Sequence, residues 1–112
     1  MNDCPHIDKH SDERRNRIRL SIAAYAYESG RRPTMSDAEY DKLSLMINVQ
    51  EDTFEEYHTP EYKQKCMIID TFFREHFSPD TGQWIYKHPY YDEVAAIYWH
   101  LYGRKWNDQR NA

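Results

Sequence analysis

Long apolar runs are missing from this chain. No stretch approaches the roughly 20 residues that cross a bilayer, and the N-terminal Met-Asn-Asp-Cys-Pro-His has none of the apolar character of a signal peptide. A cytoplasmic protein without a membrane partner is therefore expected. Cysteine is scarce too. Cys4 stands in a polar tail and Cys66 in an apolar helical pattern, so no disulfide is expected in a reducing compartment. Positive charge is not in excess either. Asp and Glu number 19 against 15 Lys plus Arg, for a formal charge of -4, which speaks against a general nucleic-acid coat that must neutralise many phosphates. Direct nucleic-acid binding is not expected.

What is present is polar and aromatic. Mean hydropathy is -1.06, yet aromatic residues make up 15% of the chain and include ten tyrosines. Tyrosine buries a large ring while keeping a polar tip, so the core should be small and tyrosine-rich. The chain is long enough for one small domain, with residues 1–10 and 104–112 as loose tails. Domains below about 150 residues bury a modest share of their surface, which makes stability marginal and gives partner binding a possible role in it.

Helical periodicity recurs along the chain. Ile18, Ile22 and Tyr25 set a first helix over Ser11 to Glu28, and Gly30 suits its end. Leu20 and Tyr27 lie nearly opposite Ile18 on a helical wheel, so this helix carries apolar groups on two sides. Ser36 and Glu39 are spaced as a capping box for a second helix, with Leu43, Met46 and Ile47 as its packing stripe. Thr59-Pro60 opens a third helix to about Phe77, with Tyr62, Cys66, Ile69 and Phe73 inward. Ser78-Pro79-Asp80-Thr81-Gly82 must turn, and Gln83 to Lys87 is expected as a short extended piece. A fourth helix after His88-Pro89 should place Val94, Ile97, Tyr98 and Leu101 inward and stop at Gly103. The expected fold is all-α, a small bundle of about four helices.

One segment carries recognisable chemistry. Tyr27 to Asp41 reads Tyr-Glu-Ser-Gly-Arg-Arg-Pro-Thr-Met-Ser-Asp-Ala-Glu-Tyr-Asp. It resembles the Ia domain of bacterial NAD-dependent DNA ligases, where a Tyr-His helix end, a Pro-containing connection and Asp-Ala-Glu-Tyr-Asp occur at the same spacing. The likeness spans roughly Arg17 to Asn48 and implies a ligase Ia-like helical hairpin in the N-terminal half. It places Tyr27 on the family's tyrosine, Pro33 on its proline, and Asp37, Tyr40 and Asp41 on positions that contact the nicotinamide mononucleotide (NMN) half of NAD. Glu28 departs from the family by standing where it has histidine. The Lys-x-Asp-Gly setting of the ligase adenylation lysine is absent from the chain, so the resemblance implies a ligase-related module and not a ligase.

The residues support a similar reading by themselves. Asp37, Tyr40 and Asp41 fall at i, i+3 and i+4, which puts two carboxylates and a phenol on one helix face. An oxidised nicotinamide is a flat cation, and a tyrosine face with carboxylates beside it attracts one. Arg31 and Arg32 in the adjoining connection are candidates for phosphate. Each residue also has a structural reading: Asp37 as a first-turn acid, Asp41 as a solvated helix residue, Tyr40 as a packing partner of Leu43, Tyr27 as core, and the two arginines as solvated loop.

Weaker constellations remain. Cys4, His6 and His10 are ligand types for zinc but show no fourth partner, and no metal is expected. Arg14, Arg15, Arg17 and Arg19 form a basic cluster suited to phosphate or an acidic protein surface. No nucleophile is paired with a base, so no catalytic residue is assigned. Two readings stand. One is a non-catalytic module for NMN or NAD. The other is an interaction or inhibitor protein of phage or mobile-element origin that engages a host protein.

Overall fold

The computed structural model describes residues 8–79 and 81–103, and all regular structure among them is helical. The four helices are α1 (Ser11–Glu28), α2 (Asp37–Met46), α3 (Pro60–His76) and α4 (Tyr91–Tyr98). A 3₁₀ turn, Gln83–Lys87, precedes α4, and a π turn, Trp99–Gly103, extends it. Residues 1–7 and 104–112, where most of the two expected tails fall, lie outside the described residues. Asp8, Lys9 and His10 do not belong to a loose tail: Asp8 pairs with Arg14, the Lys9 amide donates to Glu55 at 3.0 Å, and His10 Nδ1 lies 2.6 Å from Glu51 Oε2. No described helix is long and apolar enough to cross a membrane.

Local signals set the helix ends. Gly30 takes φ 71°, a left-handed value that costs glycine little. This lets the Arg31 amide reach the Ala26 carbonyl at 2.8 Å and the Gly30 amide reach that of Tyr27 at 3.3 Å, the paired bonds of a Schellman ending. At the start of α2, Ser36 Oγ accepts from the Glu39 amide at 3.1 Å while Glu39 Oε1 accepts from the Ser36 amide at 3.0 Å. Thr59 caps α3 through the Tyr62 amide, with Pro60 in the first turn.

Helix α1 is the spine. Its residues Leu20 through Ala26 are all buried, which requires cover on more than one side. That cover comes from α2, the 3₁₀ turn and α4, whose backbones pack closely on α1, whereas α3 stands farther off. Ala23, Ala24 and Ala26 are small enough to permit the approach. The core that results is more phenylalanine and tryptophan than tyrosine. Phe72, Phe73, Phe77 and Trp84 form a ring cluster with centroids 5.1 to 6.2 Å apart. Tyr25 and Tyr98 are the tyrosines buried with it, and both hydroxyls are engaged: Tyr98 donates to the Arg32 carbonyl at 3.0 Å, and Tyr25 accepts from Trp99 Nε1 at 3.1 Å.

Several sequence expectations are corrected here. Gln83–Lys87 is not extended, because the neighbours Trp84 and Ile85 are both buried, which the alternating faces of a half-buried strand do not allow. Ile18 is 51% exposed, and Tyr62 and Ile97 are also exposed, because α3 does not close against α1 and α4. Leu101 is 59% exposed, since the wide π turn breaks the 3.6-residue period that placed it inward. Met46, at the last position of α2, is exposed as well.

The basic cluster on α1 is not a surface. Arg17 is buried, with Nε 2.8 Å from Glu13 Oε2 and one terminal nitrogen 2.7 Å from Asp70 Oδ1. The other terminal nitrogen donates to the carbonyls of Asn48 at 2.7 Å and Glu51 at 3.1 Å. Arg14 binds Asp8 and the Thr53 carbonyl. Arg15 and Arg19 alone of the four are exposed.

Removing one member of a buried charge network strands the others, at a typical cost of about 3 to 5 kcal/mol. Arg17→Ala is therefore expected to lower stability by about that amount in urea unfolding, whereas Arg15→Ala leaves the midpoint in place. A second prediction concerns acid. His88 is buried 4.8 Å from the Phe72 ring centroid, and its Nδ1 accepts from the Tyr90 amide at 3.0 Å. Burial lowers its pKa from 6.5 to about 4. The unfolded chain takes up this proton first, so His88's contribution is complete above pH 6.5 and is lost as pH falls toward 4. The loss is on the order of 3 kcal/mol. His88→Phe should flatten that part of a stability-against-pH curve measured by urea unfolding.

Candidate functional site

The Schellman ending of α1 and the capped start of α2 face each other across the connection 29–36, and this fixes where the expected site residues lie. Tyr27 is 56% exposed, so it is not core. Its phenol lies beside the Asp37 carboxylate. That charge first, with smaller contributions from Asp41 and Glu28, holds the Tyr27 pKa above its usual 10.0. Tyr27, Glu28, Asp37 and Asp41 thus form one acidic edge around an accessible ring. Among the described residues no group of three or more such donors is placed to hold a metal ion. Of the weak zinc-type trio Cys4, His6 and His10, the first two lie outside the described residues, and His10 is engaged by Glu51.

Tyr40 belongs to the same end but faces inward. It is half-buried, and its hydroxyl donates to the Thr81 carbonyl at 3.3 Å. Burial, with smaller contributions from Glu28 and Asp41, pushes its pKa up to about 12. The turn before the 3₁₀ segment therefore sits against this end of the hairpin. Trp84 Nε1 donates to the same Thr81 carbonyl at 2.7 Å, and Tyr86 donates to the Glu28 carbonyl at 2.9 Å. Gly82 fits close beneath: a Cβ there would lie 3.2 Å from Glu28 Oε2 and 3.4 Å from the Tyr40 hydroxyl. Nothing in the local sequence of either segment signals this meeting, which joins residues 41 apart.

The two arginines separate from the acidic edge. The Arg31 guanidinium lies 5.1 Å from the centroid of the Trp99 ring, a cation–π distance, and the Arg32 carbonyl accepts the Tyr98 hydroxyl. Both are drawn toward α4 and the π turn, and both side chains are exposed. The arrangement offers an electronegative aromatic edge on one side of the connection and cationic groups on the other.

No family model matches this chain, and no curated protein or solved structure matches it either. The geometry of the hairpin end is therefore the ground for any functional reading.

The Tyr27–Asp37 contact makes a direct prediction. Asp37→Asn removes the charge that contributes most to the raised Tyr27 pKa, so the Tyr27 phenol should titrate closer to 10.0. NMR of ring-labelled tyrosine against pH reads this at one residue, and Tyr40 should hardly move because its shift comes first from burial.

Proposed function

We propose that this protein is a non-catalytic binding module whose α1–α2 end takes the cationic nicotinamide of NMN or NAD, in the manner implied by its resemblance to the ligase Ia domain. The observation that carries this reading is the exposed Tyr27 ring with the Asp37 carboxylate beside it, and with Glu28 and Asp41 close enough to act on it electrostatically. A flat cation gains from the ring face and from the carboxylates together. Glu28 strengthens the preference for the cationic end and opposes a phosphate at the same spot. Arg31, on the far side of the connection, is the cation available to a phosphate group.

The edge is one wall and not an enclosed pocket, whereas small-molecule sites bury most of their ligand. Binding by this chain alone is weak, and a second protein completes the site. The outer face of α2 supports that part of the reading. Leu45 is 78% exposed and Met46 57%, adjacent apolar side chains beside the acidic edge that favour the alternative of a protein-interaction or inhibitor role.

An NMR titration with NMN, NAD and reduced NAD separates these readings. Oxidised ligands should shift Tyr27, Asp37 and Asp41, and reduced NAD, whose ring is neutral, should not. Tyr27→Ala combined with Asp37→Asn should weaken NMN binding by at least about tenfold, the equivalent of about 1.4 kcal/mol. Equal shifts from oxidised and reduced NAD, or an unchanged affinity in the double variant, would sink the nucleotide reading and leave the Leu45–Met46 face as the working surface.

A further inference from the structure

The space that α3 leaves open against α1 and α4 is a cavity of about 170 Å³, and it holds a polar atom with nothing to bind. Ser21 lines it, is 2% exposed, and its hydroxyl has no hydrogen-bond partner. A serine inside a helix ordinarily turns back to the carbonyl four residues earlier. Ser21 does not, and burying an unmet hydroxyl costs free energy. Among buried side-chain nitrogen and oxygen atoms of the described residues, no other is left unpaired.

We infer that this cavity is a binding site for a small neutral aromatic molecule carrying one hydrogen-bonding group, a phenol in size and chemistry, with the polar group on Ser21. Size is the first argument. An engineered apolar cavity of about 150 Å³ takes up benzene, and this one is slightly larger. Wall chemistry is the second. Phe73, Val94, Ile69 and Cys66 supply apolar surface, and the rings of Tyr62 and Tyr90 border it. Charge is the third. Each lining cation already has a carboxylate: Arg17 has Glu13 and Asp70, Arg14 has Asp8, and Lys65 Nζ lies 2.6 Å from Glu93. An ionic ligand would have to break one of these pairs, and a neutral one would not.

A ligand has a way in, because Ile18, Tyr62 and Ile97 at the margin are exposed. The site is separate from the α1–α2 end, since neither Tyr27 nor Asp37 lines it, and each can fail without the other.

The test is an NMR titration of the full chain with phenol and with benzene, together with intermolecular contacts to the Phe73 ring protons. Both probes should perturb Ser21, Cys66 and Val94, and phenol should bind roughly three- to tenfold tighter, the factor one net hydrogen bond supplies. Ser21→Ala, which keeps the walls and removes the hydroxyl, should reduce phenol to the affinity of benzene and leave benzene unchanged. Absence of Phe73 contacts at saturating phenol overturns the site. So does a phenol preference that persists in Ser21→Ala.

Discussion

Arg17 is the group on which the rest of this fold depends. From one position on α1 its guanidinium reaches Glu13 on its own helix, Asp70 on α3, and the carbonyls of Asn48 and Glu51 in the loop between α2 and α3. The anions are held in turn. Asp70 accepts the amide and the hydroxyl of Thr53, and Glu13 accepts the amide of Asn48. The guanidinium also lies 5.1 Å from the Phe73 ring centroid. A helix that stands off from its neighbours is thus fixed by charge-assisted hydrogen bonds where apolar packing is thin. Such a network settles position more than it adds stability, because desolvating the ions offsets much of their attraction.

The same division of labour shapes the rest of the molecule. On the α2 and α4 sides, α1 presents the small side chains Ala23, Ala24 and Ala26 and is covered tightly. On the α3 side it presents Arg14, Arg17, Ile18 and Ser21, and there the polar network at one end holds open a space beside it. The cavity and the network lie side by side: α3 packs Phe72 and Phe73 into the core and is tied to α1 through Arg17 and Asp70. At the other end of α1, the turn at Thr81 and Gly82 braces the hairpin by accepting from Tyr40 and fitting under Glu28. This leaves Tyr27, Asp37 and Asp41 as accessible members of the resemblance-based set and draws Tyr40 into the scaffold.

Much of the fold was legible. Ser36 with Glu39, Thr59 with Pro60, and Gly30 after Glu28 each marked a helix end that the structure contains, and the all-α bundle follows from them. The two apolar sides of α1 were legible only in part: Leu20 is buried, but Ile18 and Tyr27, which marked the opposed sides, are exposed. The inward faces were read less well. Ile18, Tyr62 and Ile97 have the spacing of core residues but border an open space, and Leu101 lies beyond a π turn that periodicity does not anticipate. Arg14 and Arg17 read as surface charge because the groups that bury them, Asp70 above all with Asn48, Glu51 and Thr53, lie far along the chain. The candidate site was legible as a group: Tyr27, Asp37 and Asp41 share an edge, whereas Arg31 is turned toward Trp99.

The sequence by itself determined where the helices begin and end, because caps and glycine endings are made from bonds between residues within a few positions of one another. It also determined that Asp37, Tyr40 and Asp41 share a helix face, since a helix period is local. Only the tertiary structure decided which of these groups stay accessible, where Arg17 finds its counter-charges, and that Ser21 faces a cavity unpaired. Those outcomes depend on contacts between residues 31 to 53 positions apart, and no periodicity or spacing along a chain encodes which distant partner closes over a given side chain.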